Sequence, residues 1–152
     1  MDGAPQWAAS SFPLRVCSQR HAGDEPIAVT ASVIGVMNGR LGFAALQEAQ
    51  DDCDVRVTVG VPAEQGWMDP GGDALLSDGS GGVSCDVRTS NVMGELLNLT
   101  IHHELGHCLG LAHDDFEQSV MRREQSLTPW GELPPWISDA DRALLRGLYA
   151  QR

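Results

Sequence analysis

The stretch His103-Glu104-Leu105-Gly106-His107-Cys108-Leu109-Gly110-Leu111-Ala112-His113 constrains this chain more tightly than any other segment. On a helix, residues four apart share a face, so His103 and His107 can offer ring nitrogens to one ion. Glu104 sits beside them, able to reach a metal-held water without being a ligand. The helix has to end soon after His107, because a third histidine continuing helically would diverge from the metal. Gly110 can adopt a left-handed conformation and turn the chain so that His113 returns to the site. Three neutral imidazoles leave a fourth position open, the arrangement of catalytic rather than structural zinc. The competing account, histidines on an ordinary amphipathic helix, fails on arithmetic: of five histidines in the chain, three fall at ligand spacing together with the Glu and the turn Gly. His102 and Cys108 each adjoin a ligand but lie about 100° away round the helix. His102 is assigned to packing or surface, Cys108 to the core, and His21, in a polar loop, to solvent.

With 152 residues and 42% hydrophobic content, the chain fits a single domain, 1–152, with one core. Residues 1–11 read as a flexible N-terminal segment. No apolar run approaches the roughly 20 residues of a membrane span, and MDGAPQWAASS lacks the regions of a signal peptide. The formal net charge of −11, from 21 acidic against 10 basic residues, argues against a nucleic-acid partner. All the basic residues are Arg, without a cluster that would suggest bidentate recognition. Cys17, Cys53, Cys85 and Cys108 show no CxxC spacing; an even, widely spaced set fits structural disulfides in an oxidising compartment, against four buried thiols in a cytosolic protein. A secreted or extracytoplasmic monomer is expected, its targeting segment lying outside this chain.

Along the chain, FPLRVCS over residues 12–18 alternates as a half-buried strand. Pro26 suits the first position of a helix in which Ile27, Ala31, Ile34, Met37 and Leu41 recur at helical spacing, with Gly39 and Gly42 ending it. FAALQE and the Val-rich DVRVTVGV read as strands. Residues 64–83, crowded with Gly, Asp, Ser and Pro, read as a long surface segment. GVSCDVRTS, residues 82–90, resumes a strand, and a helix over roughly 95–109 carries the histidines. A final helix starts at Ser138, with Asp141 imitating a capping box and Leu144, Leu145, Leu148 and Tyr149 forming an apolar face. A strand, a helix and further strands imply an α/β domain with a crossover connection.

At the motif the sequence resembles the metzincin clan of metallopeptidases, in which HExxHxxGxxH is followed by a Met-containing turn. Met121 stands eight residues after His113; the resemblance implies an apolar floor beneath the metal. That spacing is similar to matrixins, whereas Asp114, directly after the third histidine, looks more like the adamalysin group. ISDADRALLRGLY is similar to the last matrixin helix. The resemblance implies an α+β fold: a mixed, mostly parallel twisted sheet with one antiparallel edge strand, an active-site helix and a C-terminal helix. The edge strand, which binds extended substrate in that fold, is expected somewhere between Ala74 and Ser90. In the same layout the strands near Cys53 and Cys85 are neighbours, which favours a Cys53–Cys85 bridge and leaves Cys17 with Cys108.

The activity so implied is that of a zinc-dependent endopeptidase, in which Glu104 takes a proton from a zinc-bound water and passes it to the leaving amine. Arg122, Arg123 and Trp130, in the segment after Met121, are expected to line a specificity pocket. The chain departs from the family in several ways: Arg123 stands where some metzincins carry a Tyr, the loop 64–83 has no histidines for a second, structural zinc, and no cysteine-switch motif precedes the domain. The alternatives are a zinc-containing binding or inhibitory module without turnover, against which intact Glu104 argues, and a zinc hydrolase of a small amide. The carboxylates of Asp69, Asp73, Asp78 and Asp86 offer oxygen ligands of the kind calcium requires, but without an EF-hand pattern a solvated turn is the preferred reading. Asn98-Leu99-Thr100 matches a glycosylation acceptor but falls where the motif helix begins, so it is expected to be unmodified.

Overall fold

The computed structural model describes residues 7–21, 28–61, 72–79, 82–90, 94–112, 121 and 137–149. Five strands, β1 (Leu14–Arg20), β2 (Leu46–Glu48), β3 (Val55–Val59), β4 (Gly72–Gly79) and β5 (Gly82–Thr89), form one sheet in the order β2-β1-β3-β5-β4. Three helices complete the described architecture: α1 (Ala28–Leu41), α2 (Gly94–Cys108) and α3 (Asp139–Tyr149). β2, β1, β3 and β5 run parallel, while β4 pairs antiparallel with β5 and forms an edge. The fold is therefore mixed α/β with a mostly parallel sheet.

Strand alternation decides which face is covered. The register aligns Val16, Val55, Cys85 and Leu76 across four strands, and Val57, Val87 and Ala74 across three. Val16, Val55, Val57, Cys85 and Val87 are fully buried. The helices lie on this face: α2 packs against β4, β5 and α1, and α3 against α1. The row on the other face, Cys17, Arg56, Asp86 and Leu75, is more open, and Leu75 is 62% exposed.

α1 buries Thr30, Val33, Ile34, Met37 and Leu41, one stripe of a helix; Ala31, expected on that stripe, faces outward. Gly39 lies within the helix, and Gly42, at φ 81°, ends it. Asn38 then fastens the turn to β2: its Oδ1 accepts from the main-chain N–H groups of Ala45 and Leu46 at 3.0 Å each, and its Nδ2 donates to Leu46 O at 2.9 Å. α3 begins as expected, with Ser138 Oγ accepting from Asp141 N at 3.1 Å. Leu145 and Tyr149 carry its buried face, while Leu144 is 43% exposed.

Further expectations require correction. Residues 64–83 are not wholly a loop, because β4 occupies Gly72–Gly79. An edge strand gains its ladder from main-chain groups and needs little apolar side chain, so its polar composition conceals it. Within the stretch 1–11, Trp7 is buried and a 3-10 turn spans Ala9–Ser11. The disulfides also differ from expectation, being Cys17–Cys53 and Cys85–Cys108, with Cα separations of 5.8 and 5.7 Å. β3 and β5 are neighbours as expected, but Cys85, in phase with Val87, points to the helix face and meets α2. Cys53 lies ahead of β3, after Asp52 at φ 52°, where strand alternation no longer sets side-chain direction. It bridges instead to Cys17, which is out of phase with the buried Leu14 and Val16.

Candidate metal centre

α2 is buried along its second half: Thr100 through Leu105, Cys108 and Leu109 are all nearly inaccessible, and Thr100, His102, His103 and Glu104 are polar. A helix buried all round normally carries apolar side chains there. Buried polar groups need compensating partners, so three consecutive polar residues inside a helix are the mark of a site rather than of packing.

His103 Nε2 and His107 Nε2 lie 3.1 Å apart. Two nitrogens at about 2.05 Å from a tetrahedral zinc would be about 3.3 Å apart, so the pair is close to the spacing one ion imposes. The His107 ring is fixed from behind, with Nδ1 2.8 Å from Leu111 O. A carbonyl only accepts, so Nδ1 carries the proton and Nε2 presents its lone pair, the usual outer-shell control of a ligating imidazole. Glu104 Oε1 is 3.9 Å from His103 Nε2, and neither side chain is exposed. Among the described residues, His103, Glu104 and His107 form the group able to hold a metal, their ligand atoms all within 4.8 Å of one another. Two imidazole nitrogens are donors of the kind zinc takes, and Glu104 stands beside them.

The end of α2 is built as the motif requires. Gly110, at φ 105°, follows the helix; its N–H donates to His107 O at 2.9 Å and Leu111 N to Gly106 O at 3.0 Å. This is a Schellman closure, which reverses the chain within two residues. Met121 is fully buried beneath α2: a Cβ on Gly106 would overlap Met121 Sδ and come within 3.2 Å of its Cε. Gly72, opening the edge strand β4, is equally tight, since a Cβ there would lie 2.6 Å from Thr100 Cγ2 and 3.3 Å from Glu104 Cγ. The edge strand thus starts against the carboxylate side chain. Nothing in the sequence marks Gly72 among the other glycines of its stretch.

His103, Glu104, His107 and Met121 are brought together; His113, Arg122, Arg123 and Trp130 lie outside the described residues. His102 is buried, with no hydrogen-bond partner at Nε2, and burial, reinforced by His103, lowers its pKa to about 4. Asp73 pairs with Arg88 at 2.6 Å, whereas Asp78 and Asp86 are exposed at other positions on the β4–β5 hairpin. Asp69 lies outside the described residues. Asn98 and Thr100 are within α2, and Thr100 is buried. Neither the family models nor the curated proteins contain a match to this chain.

Proposed function

We propose that this chain is a zinc-dependent endopeptidase of metzincin type, with His103, His107 and His113 as ligands and Glu104 as catalytic base. The observation that carries the reading is the buried pair of Nε2 atoms 3.1 Å apart, with the Glu104 carboxylate beside them and the His107 tautomer set by Leu111 O. A zinc ion held there supplies a Lewis acid and lowers the pKa of water towards about 7. Glu104 accepts a proton from the attacking water and returns it to the leaving amine. Its burial excludes bulk water from that exchange and holds the carboxylate in place. Met121, packed under Gly106, gives the ligand helix a firm apolar floor.

Support for a peptide substrate comes from β4. This antiparallel edge begins against Glu104, and among the described residues one side of its ladder has no strand partner, the surface on which an extended chain can add as a further strand. Arg122, Arg123 and Trp130 are proposed to line the pocket beyond the scissile bond. Two disulfides favour a secreted or extracytoplasmic setting, and among the described residues no helix is long and apolar enough to cross a membrane. The deciding experiment digests a proteome-derived peptide library with and without a chelator, with cleavage read by mass spectrometry and zinc content measured in parallel. Zinc near one equivalent with chelator-sensitive internal cleavage is expected. Zinc binding without cleavage would leave a binding module, and no zinc uptake would remove the proposal.

A further inference from the structure

The last carbonyls of a helix have no partner within it. Here the chain's two ends supply the partners. Trp7 Nε1 donates to Cys108 O at 2.7 Å, and Tyr149 Oη to Leu109 O at 3.4 Å, both in buried surroundings. Phe12 lies against the Tyr149 ring with centroids 4.6 Å apart. A third side-chain donor, His107 Nδ1, reaches Leu111 O. The carbonyls of Cys108, Leu109 and Leu111 are therefore held by three side chains, two from distant parts of the sequence and one the ligand itself. The position of Leu111 O sets the direction of the His107 ring, and it depends on the turn that Trp7 and Tyr149 hold.

We propose that Trp7 and Tyr149 are positioning residues for the metal centre: acting through the carbonyls of Cys108 and Leu109, they fix the exit turn of α2 and so the orientation of His107. The proposal rests on the metal-centre reading above. In Trp7→Phe the ring remains and the donor is lost, and Tyr149→Phe removes only the hydroxyl. Leu46→Ala, on β2 at the far edge of the sheet, is the control for general loss of stability. Each full chain is titrated with zinc against a chelating competitor, and thermal midpoints are recorded. Outer-shell partners are worth about 10- to 100-fold in metal affinity; acting one bond further out, Trp7→Phe should lose about 10-fold and Tyr149→Phe about 3-fold. Leu46→Ala should keep the affinity of the unaltered protein despite a lower midpoint. Equal affinity in all four proteins, or losses that merely follow the thermal midpoint, would overturn the positioning role alone. Failure of the unaltered protein to bind zinc would overturn the metal centre, and the proposal with it.

Discussion

Single residues in α2 carry opposite demands, and they are separable by experiment. Glu104→Gln keeps the size of the side chain and removes its basicity, so peptide hydrolysis should fall by at least about 100-fold. Zinc content, measured by atomic absorption, should stay near that of the unaltered protein, since Glu104 handles protons in the proposed reaction. His102 is neutral in the folded chain because burial holds its pKa at about 4, against 6.5 when unfolded. The folded state then binds fewer protons between those values, so the contribution is fully present above pH 6.5 and is lost as pH falls towards 4. By linkage the full loss is on the order of 3 kcal/mol. Replacing His102 with Phe should remove this component. Denaturant unfolding of both proteins in chelator, from pH 7 to 4, should show the unaltered protein losing stability relative to His102→Phe; parallel pH profiles would refute the assignment.

At the scale of elements, α2 packs tightly over Met121, which leaves no room for a side chain at Gly106. Gly106→Ala places a methyl where Met121 Sδ lies, and overpacking of that kind costs about 1–3 kcal/mol. Chemical denaturation should register that loss. Shortening the obstructing side chain in a Gly106→Ala, Met121→Ala double variant should recover part of the strain while opening space elsewhere, a non-additive result that a denaturation cycle can measure. Gly106 immediately precedes His107 in the helix, so zinc affinity should weaken in the single variant even under conditions where it remains folded.

For the molecule as a whole, the two disulfides tie different layers. Cys17–Cys53 joins β1 to the turn before β3, and Cys85–Cys108 fastens the end of α2 to the sheet one residue beyond His107. Non-reduced peptide mapping should return these two linkages and no Cys53–Cys85 peptide. Replacing Cys85 and Cys108 together by Ala opens a link between residues 23 apart in sequence, which should cost about 2–4 kcal/mol in denaturant unfolding. Because that bridge adjoins the ligand helix, the double variant should also bind zinc more weakly than the unaltered protein. The analogous loss of Cys17 and Cys53 should lower stability with little effect on zinc.

The motif spacing was enough to bring His103, Glu104 and His107 together on α2, because a helix converts intervals of four into a shared face without help from the rest of the chain. The same local physics placed Gly110 at the turn, Ser138 at the cap of α3, and the Val-rich alternation of β3 in a sheet. Even the phase of the cysteines was legible, since Cys85 alternates in step with Val87 whereas Cys17 falls out of step with Leu14 and Val16. Only the tertiary structure decided which partners those phases would meet, for Cys53 stands in a turn whose backbone angles obey no strand rule. The resemblance implied an edge strand between Ala74 and Ser90, but the bounds of β4 could be seen only once β5 offered a ladder, because main-chain pairing leaves no trace in side-chain pattern. Trp7 and Tyr149 reach carbonyls of α2 from the two ends of the described chain. Every residue carries a carbonyl, so sequence cannot mark the two that are held; folding selects them by distance.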